Sequence, residues 1–273
     1  MRNFILLLFI VVTFTPEAYG DWKLLRPGMD LATFSVKNPR LNKDAGIIIL
    51  RIDPKHWEFA LVGRSRSAEP ENMTAKGWCE KYDLTAAINA GMFAKDYSTH
   101  VGYLGTEGHV NNAHVNQYTS VAAFGPRRGK GLPEFRIFDL DDPHVKMEMI
   151  IGDYASAVQN LRLIKRQGEN RWGQQEKMWS EAALGEDSDG RVLFILTRSP
   201  FTMHDFNRAL LSLGIGLVAA QHLEGGPEAQ LYLQVGSVTL EMFGSYETSI
   251  KENDDNAASW QIPNVLGVRP KPK

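Results

Sequence analysis

Residues 192–223, VLFILTRSPFTMHDFNRALLSLGIGLVAAQHL, contain three successive patterns that decide the fold. Apolar runs at 192–197 and 216–223 each predict a strand. Between them, apolar residues recur at helical spacing over 202–213. Thr202 and Asp205 approximate a capping box at the start of this helix, and Gly214 is placed to end it. The order strand, helix, strand predicts a βαβ unit with a right-handed parallel crossover.

Outside this unit, strand patterns dominate the sequence. A second helix is predicted at 71–82. Short apolar or alternating runs bounded by turn residues predict further strands at 46–52, 56–61, 86–89, 120–124, 135–140, 179–184, 230–234 and 237–243. The predicted class is therefore α+β: a large mixed, mostly antiparallel β-sheet flanked by a few helices, with a late βαβ unit. Because no stretch resembles a linker, residues 21–267 are expected to form a single domain, followed by a loose C-terminal tail at 268–273.

The composition excludes several classes of protein. Thirty basic and 32 acidic residues give a formal net charge of -2, which argues against a general nucleic-acid binder. A hydrophobic content of 43% with so small a net charge argues against disorder. Because Cys79 is the only cysteine, intrachain disulfides and cysteine-based zinc knuckles are excluded.

The N-terminal segment has the pattern of a secretion signal. Arg2 precedes an apolar run at 4–14, Pro16 follows it, and Ala18 and Gly20 offer the small residues that signal peptidase requires. The run is about half the roughly 20 residues that a membrane span needs. Residues 1–20 are therefore predicted to be a cleaved signal peptide, with an uncleaved anchor as the alternative. The protein is expected to be secreted or periplasmic, bacterial, and without stable membrane insertion after cleavage.

Two apolar strands lead directly into small and polar residues. The first gives AAINAGMF (86–93), in which Asn89 and Gly91 follow the apolar positions. The second gives QHLEGGPE (221–228), in which a Gly-Gly pair separates Glu224 from Glu228. Such strand ends can present an amide, a carboxylate and bare backbone to a ligand. The competing interpretations are an Asx-stabilised turn for the first segment and a solvated loop for the second.

Taken in order, these segments resemble the phosphodiester glycosidase family. The resemblance covers residues 45–235 and rests on INAGMF (88–93), GYL (102–104), QNLRLI (159–164), WSEAALG (179–185), the helix at 202–214 and LEGGPE (223–228). It implies hydrolysis of a sugar-1-phosphodiester or related glycosidic bond, without a cofactor. It implies Glu224 as the catalytic acid/base or charge-stabilising group. The substrate-binding positions that it implies are Asn89, Gly91, Gly102, Arg162, Gly225, Gly226 and Glu228.

The sequence departs from the family pattern at functional positions. Glu224 and Glu228 stand where the family has Asp and Ser, Ser180 stands where an Arg is expected, and Asn160-Leu161 replaces Gly-Pro. An arginine lost from a phosphate site removes a bidentate clamp, for which Arg162 compensates only if it points into the site.

Two hypotheses therefore remain open, a glycan-directed hydrolase and a non-catalytic cell-envelope glycan-binding protein on the same fold. Either is expected to take a glycan or a sugar phosphate, not nucleic acid. A metal held by Glu224, Glu228 and His222 is a further alternative.

Overall fold

A computed structural model describes residues 20–272, so that most of the predicted signal peptide lies outside the described residues. The helices are α1 (Arg64–Ser67), α2 (Ala75–Tyr82), α3 (Met147–Asp153) and α4 (Met203–Leu211), with a 3-10 turn at Gly226–Glu228. The strands are β1 (Lys23–Arg26), β2 (Met29–Asn38), β3 (Lys43–Ile52), β4 (Trp57–Gly63), β5 (Ala86–Asn89), β6 (Leu104–Thr106), β7 (His109–Asn112), β8 (Ser120–Pro126), β9 (Phe135–Asp139), β10 (Tyr154–Asn160), β11 (Arg162–Lys165), β12 (Glu169–Asn170), β13 (Trp179–Asp187), β14 (Val192–Phe201), β15 (Leu217–Gly225), β16 (Gln230–Val235), β17 (Val238–Phe243) and β18 (Asn264–Pro270).

The described strands form three sheets. The largest has eight strands in the order β1-β2-β3-β14-β13-β15-β11-β12, and the two five-stranded sheets have the orders β7-β6-β10-β8-β9 and β17-β16-β5-β18-β4. Every pairing between these strands is antiparallel. The α+β class is confirmed, with the strands divided among three sheets that enclose a common core.

The hydrophobic core lies where the inner faces of the three sheets meet. Leu50, Ile88 and Phe124 each come from a different sheet, are buried, and belong to one cluster. The outer faces are covered by helices, because Phe206 of α4, Trp78 of α2 and Met147 of α3 each pack in a separate smaller cluster. The sheets therefore pack against one another on their inner faces and against helices on their outer faces.

The late βαβ unit is confirmed. Strands β14 and β15 both pair antiparallel with β13, so they run in the same direction with β13 between them. The Thr202 hydroxyl accepts a hydrogen bond from the Asp205 backbone N–H at 3.1 Å, which caps α4. This connection brings β15, and the residues that follow it, beside β13.

The C-terminal segment differs from the expected loose tail. Residues 264–270 form β18, a central strand between β4 and β5, and Val268 is fully buried. The lysines and prolines that led to the prediction of a loose tail come after the apolar residues of the strand. Val268 belongs to the common core cluster, and its burial holds the strand in the sheet.

Within residues 20–272, no helix has the length and apolar character needed to cross a bilayer.

Candidate functional site

The site forms at the end of β15, where its pairing with β13 is irregular. His222 is opposite Ala183, but Glu224 is opposite the adjacent residue Ala182, so the register shifts by one position between them. Such β-bulges change the direction of side chains and are frequent next to active sites. Leu223 remains buried in the common core, while His222 and Glu224 meet acidic residues from three other segments.

Glu181 and His222 form a buried pair. The His222 ring nitrogen Nδ1 lies 2.5 Å from Glu181 Oε1, and both side chains are at most 5% exposed. Glu181 Oε2 accepts a second hydrogen bond from the Trp179 indole N–H at 2.6 Å, and the Trp179 and His222 rings make an edge-on contact. Burial opposes the charged imidazole, but the carboxylates of Glu181, Glu224 and Glu247 outweigh it and raise the pKa of His222.

Glu224 is half-buried beside this pair. Its Oε1 accepts a hydrogen bond from the Gly225 backbone N–H at 3.1 Å. Burial, together with the smaller effects of the Glu228 and Glu247 charges, raises the pKa of Glu224 to about 8, against the opposing effects of His222 and the Gly225 N–H. The carboxyl group therefore retains its proton at neutral pH, as a general acid must.

Two more glutamates complete an acidic cluster. Burial, followed by the charge of Glu247, raises the pKa of Glu228 to about 6. Burial also raises the pKa of Glu247, against the positive charges of His222 and Lys177. Glu247 reaches the site because its backbone forms a β-bridge with Trp179 at the start of β13.

Asn89 brings the other predicted strand end to the same place. It is the last residue of β5, and its side chain is almost completely buried. Its Nδ2 donates to the Glu228 carbonyl at 2.9 Å, and its Oδ1 accepts from the Gln230 backbone N–H at 2.7 Å. Asn89 therefore holds the turn that carries Glu228, and the two segments singled out in the sequence do meet.

The predicted glycines lie where protein atoms approach the backbone closely. A Cβ at Gly91, whose φ is +154°, would lie 2.2 Å from Asn160 Oδ1, and a Cβ at Gly226 would lie 2.5 Å from Glu247 Oε2. At Gly102 and Gly225 the same atom would meet the Gln159 carbonyl and the Trp179 ring, each within 3 Å. The space above these four glycines is occupied by the protein itself, so their missing side chains serve packing.

Arg162 is directed to a different set of carboxylates. Its Nη1 contacts Asp139 at 2.7 Å and Asp141 at 2.5 Å, and its charge is not among those that shift the pKa of Glu224 or Glu228. It also lines a surface cavity of about 280 Å³ with Tyr118 and Trp172.

Ser180, at the position where an arginine is expected, is fully buried. Its hydroxyl donates to the Arg198 carbonyl and accepts from the backbone N–H groups of Ser245 and Tyr246. It therefore secures the segment that carries Glu247.

Glu181, Trp179 and Glu247 were not singled out from the sequence. A detectable feature exists for Glu181, because it is an acidic residue within the run WSEAALG, whose neighbouring positions predict a strand buried on both faces. Glu247 lies in a loop, and nothing in its local sequence indicates proximity to residue 224. Within residues 20–272, no group of three or more His, Cys, Asp or Glu side chains is arranged to hold a metal ion. His222, one of the three metal ligands considered from the sequence, has its Nδ1 hydrogen-bonded to Glu181.

Comparison with known proteins gives the chain a family. A family model described as phosphodiester glycosidase matches residues 82–269. Among solved structures, the catalytic domain of zebrafish N-acetylglucosamine-1-phosphodiester alpha-N-acetylglucosaminidase, auto-inhibited by its pro-peptide, is similar with a TM-score of 0.64 and 12% identity, over 89% of this chain and 83% of that one.

Two bacterial structures are also similar. A hypothetical protein from Synechocystis has a TM-score of 0.57 and 12% identity, covering 93% of this chain and 64% of its own. A candidate exported protein from Burkholderia pseudomallei has a TM-score of 0.53 and 11% identity, covering 84% and 75%. No curated protein sequence matches the chain. The match of the family model over most of the chain establishes that this protein belongs to the phosphodiester glycosidase family.

Proposed function

We propose that the protein is an exported hydrolase that cleaves a glycosidic bond, with Glu224 as the general acid. The observation that carries this proposal is the half-buried Glu224 carboxyl group at the end of β15, in the segment that resembles the family motif, with a pKa raised to about 8. A carboxyl group that is protonated at neutral pH can give its proton to a leaving oxygen.

The hydrolytic step then needs only groups in the acidic cluster. The bond between the anomeric carbon and the leaving oxygen breaks, and the leaving oxygen takes the Glu224 proton. Water adds to the anomeric carbon and gives its proton to Glu228, whose pKa of about 6 leaves it ionised at pH 7. Before this proton transfer, the carboxylates of Glu228 and Glu247 stabilise the positive charge that develops on the sugar ring.

The charges at the site favour a glycan with a neutral leaving group over a sugar-1-phosphodiester. The charges that shift the pKa of Glu224 are those of His222, Glu228 and Glu247, and the charge that shifts the pKa of Glu228 is that of Glu247. Within residues 20–272, no arginine or lysine contributes to either shift. Because His222, the cation that acts on Glu224, is already paired with Glu181, a phosphodiester would bring further negative charge to a cluster of carboxyl groups.

The cavity beside Arg162 supports a glycan as the substrate. Tyr118 and Trp172 line it, and aromatic faces of this kind stack on sugar rings. Leu161, another lining residue, accepts a hydrogen bond at its carbonyl from the His222 backbone N–H at 2.8 Å, so the cavity adjoins the strand that carries Glu224. In this proposal, the lining residues Arg162, Arg171 and Trp172 contact the remainder of the glycan.

Export is supported by the N-terminal sequence pattern and by similarity to the candidate exported protein from Burkholderia pseudomallei. A secreted or periplasmic location would also give the protein access to cell-envelope glycans.

The second candidate function is non-catalytic binding of a cell-envelope glycan. It is favoured by the closed space above Gly91, Gly102, Gly225 and Gly226 and by the use of both polar ends of the Asn89 side chain within the protein. Because these predicted substrate-binding residues are already engaged within the protein, fewer groups remain to position a glycosidic bond for cleavage.

The decisive experiment compares the wild-type protein with Glu224→Gln at pH 6 on aryl glycosides and on sugar-1-phosphodiesters. We expect the wild type to release sugar, the variant to lose at least about 100-fold in kcat, and the melting temperature of the variant to be no lower than that of the wild type. Glu80→Gln, an exposed residue on α2, is the matched control and should keep full activity. Unchanged turnover in Glu224→Gln would refute the assignment, whereas saturable glycan binding without turnover by the wild type would establish the second candidate.

A further inference from the structure

The pair formed by Glu181 and His222 has no part in the hydrolytic step described above. Burying a carboxylate is costly unless its oxygens are hydrogen-bonded, and both oxygens of Glu181 are, one to His222 and one to Trp179. A buried ion pair contributes little net stability compared with apolar residues of similar size. The pair therefore calls for an explanation other than stability.

Its geometry fixes the orientation of the His222 ring. With Nδ1 directed to Glu181 and the ring edge against Trp179, the imidazole cannot rotate without breaking a buried contact. His222 is also only two residues from Glu224, on the bulged part of β15. The orientation of the ring relative to Glu224 is thus set by residues of β13.

We propose that Glu181 and His222 are positioning residues for Glu224: the Glu181 carboxylate keeps the His222 ring protonated, and this fixed positive charge controls whether Glu224 holds its proton. The inference rests on the proposed role of Glu224 as the acid. Neither residue needs to touch the substrate, since both are almost completely buried.

The acidic groups of the cluster come from four segments. Glu181 faces His222 from β13, Glu224 lies on β15 itself, Glu228 is in the turn after β15, and Glu247 comes from the loop after β17. Lys177 acts on Glu247 from the segment before β13. His222 is the only one of these groups that opposes, by its charge, the retention of the Glu224 proton, so loss of its charge has a defined direction.

A first experiment measures how kcat depends on pH in His222→Gln and in Glu181→Gln. Without the charge on His222, the pKa of Glu224 rises. The alkaline limb of the profile should therefore shift to higher pH by about one unit. Glu181→Gln should move it the same way, because a buried imidazole without its counter-ion loses its proton. The double variant should move it no further than His222→Gln alone, since Glu181 acts through His222.

The control for these profiles is His56→Gln, an exposed histidine remote from β15 in sequence, which should leave the limb unchanged. A fall in rate in His222→Gln and Glu181→Gln without movement of the limb would show a packing role only and would overturn the proposal.

The second experiment does not depend on turnover. We would follow the ring ¹⁵N signals of His222 by NMR in the isotope-labelled wild-type protein from pH 5 to 9. The expected result is a ring that carries both protons at pH 7 in the wild type and only one in Glu181→Gln. A neutral ring at pH 6 in the wild type would overturn the proposal, even if the variants fail to fold. A protonated ring in a protein that hydrolyses no glycoside would instead contradict the proposed function and leave the pairing of Glu181 and His222 established.

Discussion

The side-chain amide of Asn89 donates a hydrogen bond to the main-chain carbonyl of Glu228 at 2.9 Å, across 139 residues of sequence. The same side chain accepts a hydrogen bond from the backbone N–H of Gln230. One asparagine at the end of β5 thus fixes the turn between β15 and β16, and with it the position of Glu228. The two segments singled out in the sequence meet through the backbone of one and the side chain of the other.

We expect Asn89→Ala to reduce both stability and activity. The Glu228 carbonyl and the Gln230 N–H would lose their buried partner, which should lower the free energy of unfolding by about 2–4 kcal/mol. Movement of the turn should lower kcat by roughly 10- to 100-fold. Urea unfolding and initial rates would measure the two effects.

Asn38→Ala is the matched control for this variant. Asn38 is equally buried and donates to the Pro200 carbonyl, but it lies at the end of β2. It should lose similar stability and keep wild-type kcat. Equal loss of activity in both variants would show that Asn89 has no special relation to the site.

Gly91→Ala should destabilise the protein more than an ordinary glycine substitution at positive φ. The added Cβ would lie within 2.4 Å of both Asn160 and His100, in addition to the strain of a φ of +154°. We expect a loss of about 3 kcal/mol or more in the free energy of unfolding. Gly108→Ala has a positive φ and open space around the Cβ, so it should lose only about 1 kcal/mol. Equal losses in the two variants would disprove the close approach of Asn160 and His100.

The stability of the protein should fall with rising pH because of Glu224. Its pKa is raised in the folded protein, so between about pH 4.5 and 8 the folded state keeps a proton that the unfolded state has released. Stability contributed by this proton is present at acidic pH and disappears as the pH passes through 8. Glu224→Gln should therefore gain stability relative to the wild type from pH 5 to pH 9, by a few kcal/mol at most. Urea unfolding at pH 5, 7 and 9 would test this, and a difference independent of pH would contradict it.

Arg162→Ala should distinguish an internal role from a substrate contact. Loss of the bonds to Asp139 and Asp141 should lower the free energy of unfolding by about 1–3 kcal/mol. Arg51→Ala is a suitable control, because Arg51 is 17% exposed, as Arg162 is, and pairs with Asp30 on β2. If Arg162 binds the glycan, only Arg162→Ala should raise KM, by about tenfold. An unchanged KM would remove Arg162 from the substrate-binding residues.

Local sequence patterns predicted much of the fold. The strands and helix of the βαβ unit, the Thr202 cap and most inner strands follow from apolar spacing, because each such segment needs one or two buried faces. The same reasoning assigned residues 268–273 to a loose tail, whereas residues 268–270 are the end of the central strand β18. It also did not identify β1, which is mostly exposed, or β2, although buried and exposed positions alternate along β2.

The sequence by itself determined the fold class, the family resemblance and the position of Asn89 and Glu224 at strand ends, since these depend on the order of residues along single strands. Only the tertiary structure decided which charges surround Glu224. Glu181, Glu228 and Glu247 reach it through strand pairing, a turn and a β-bridge, and Arg162 turns instead to Asp139 and Asp141. Electrostatic interactions act through space and depend on burial, so the protonation of a carboxyl group cannot be predicted from neighbours in sequence.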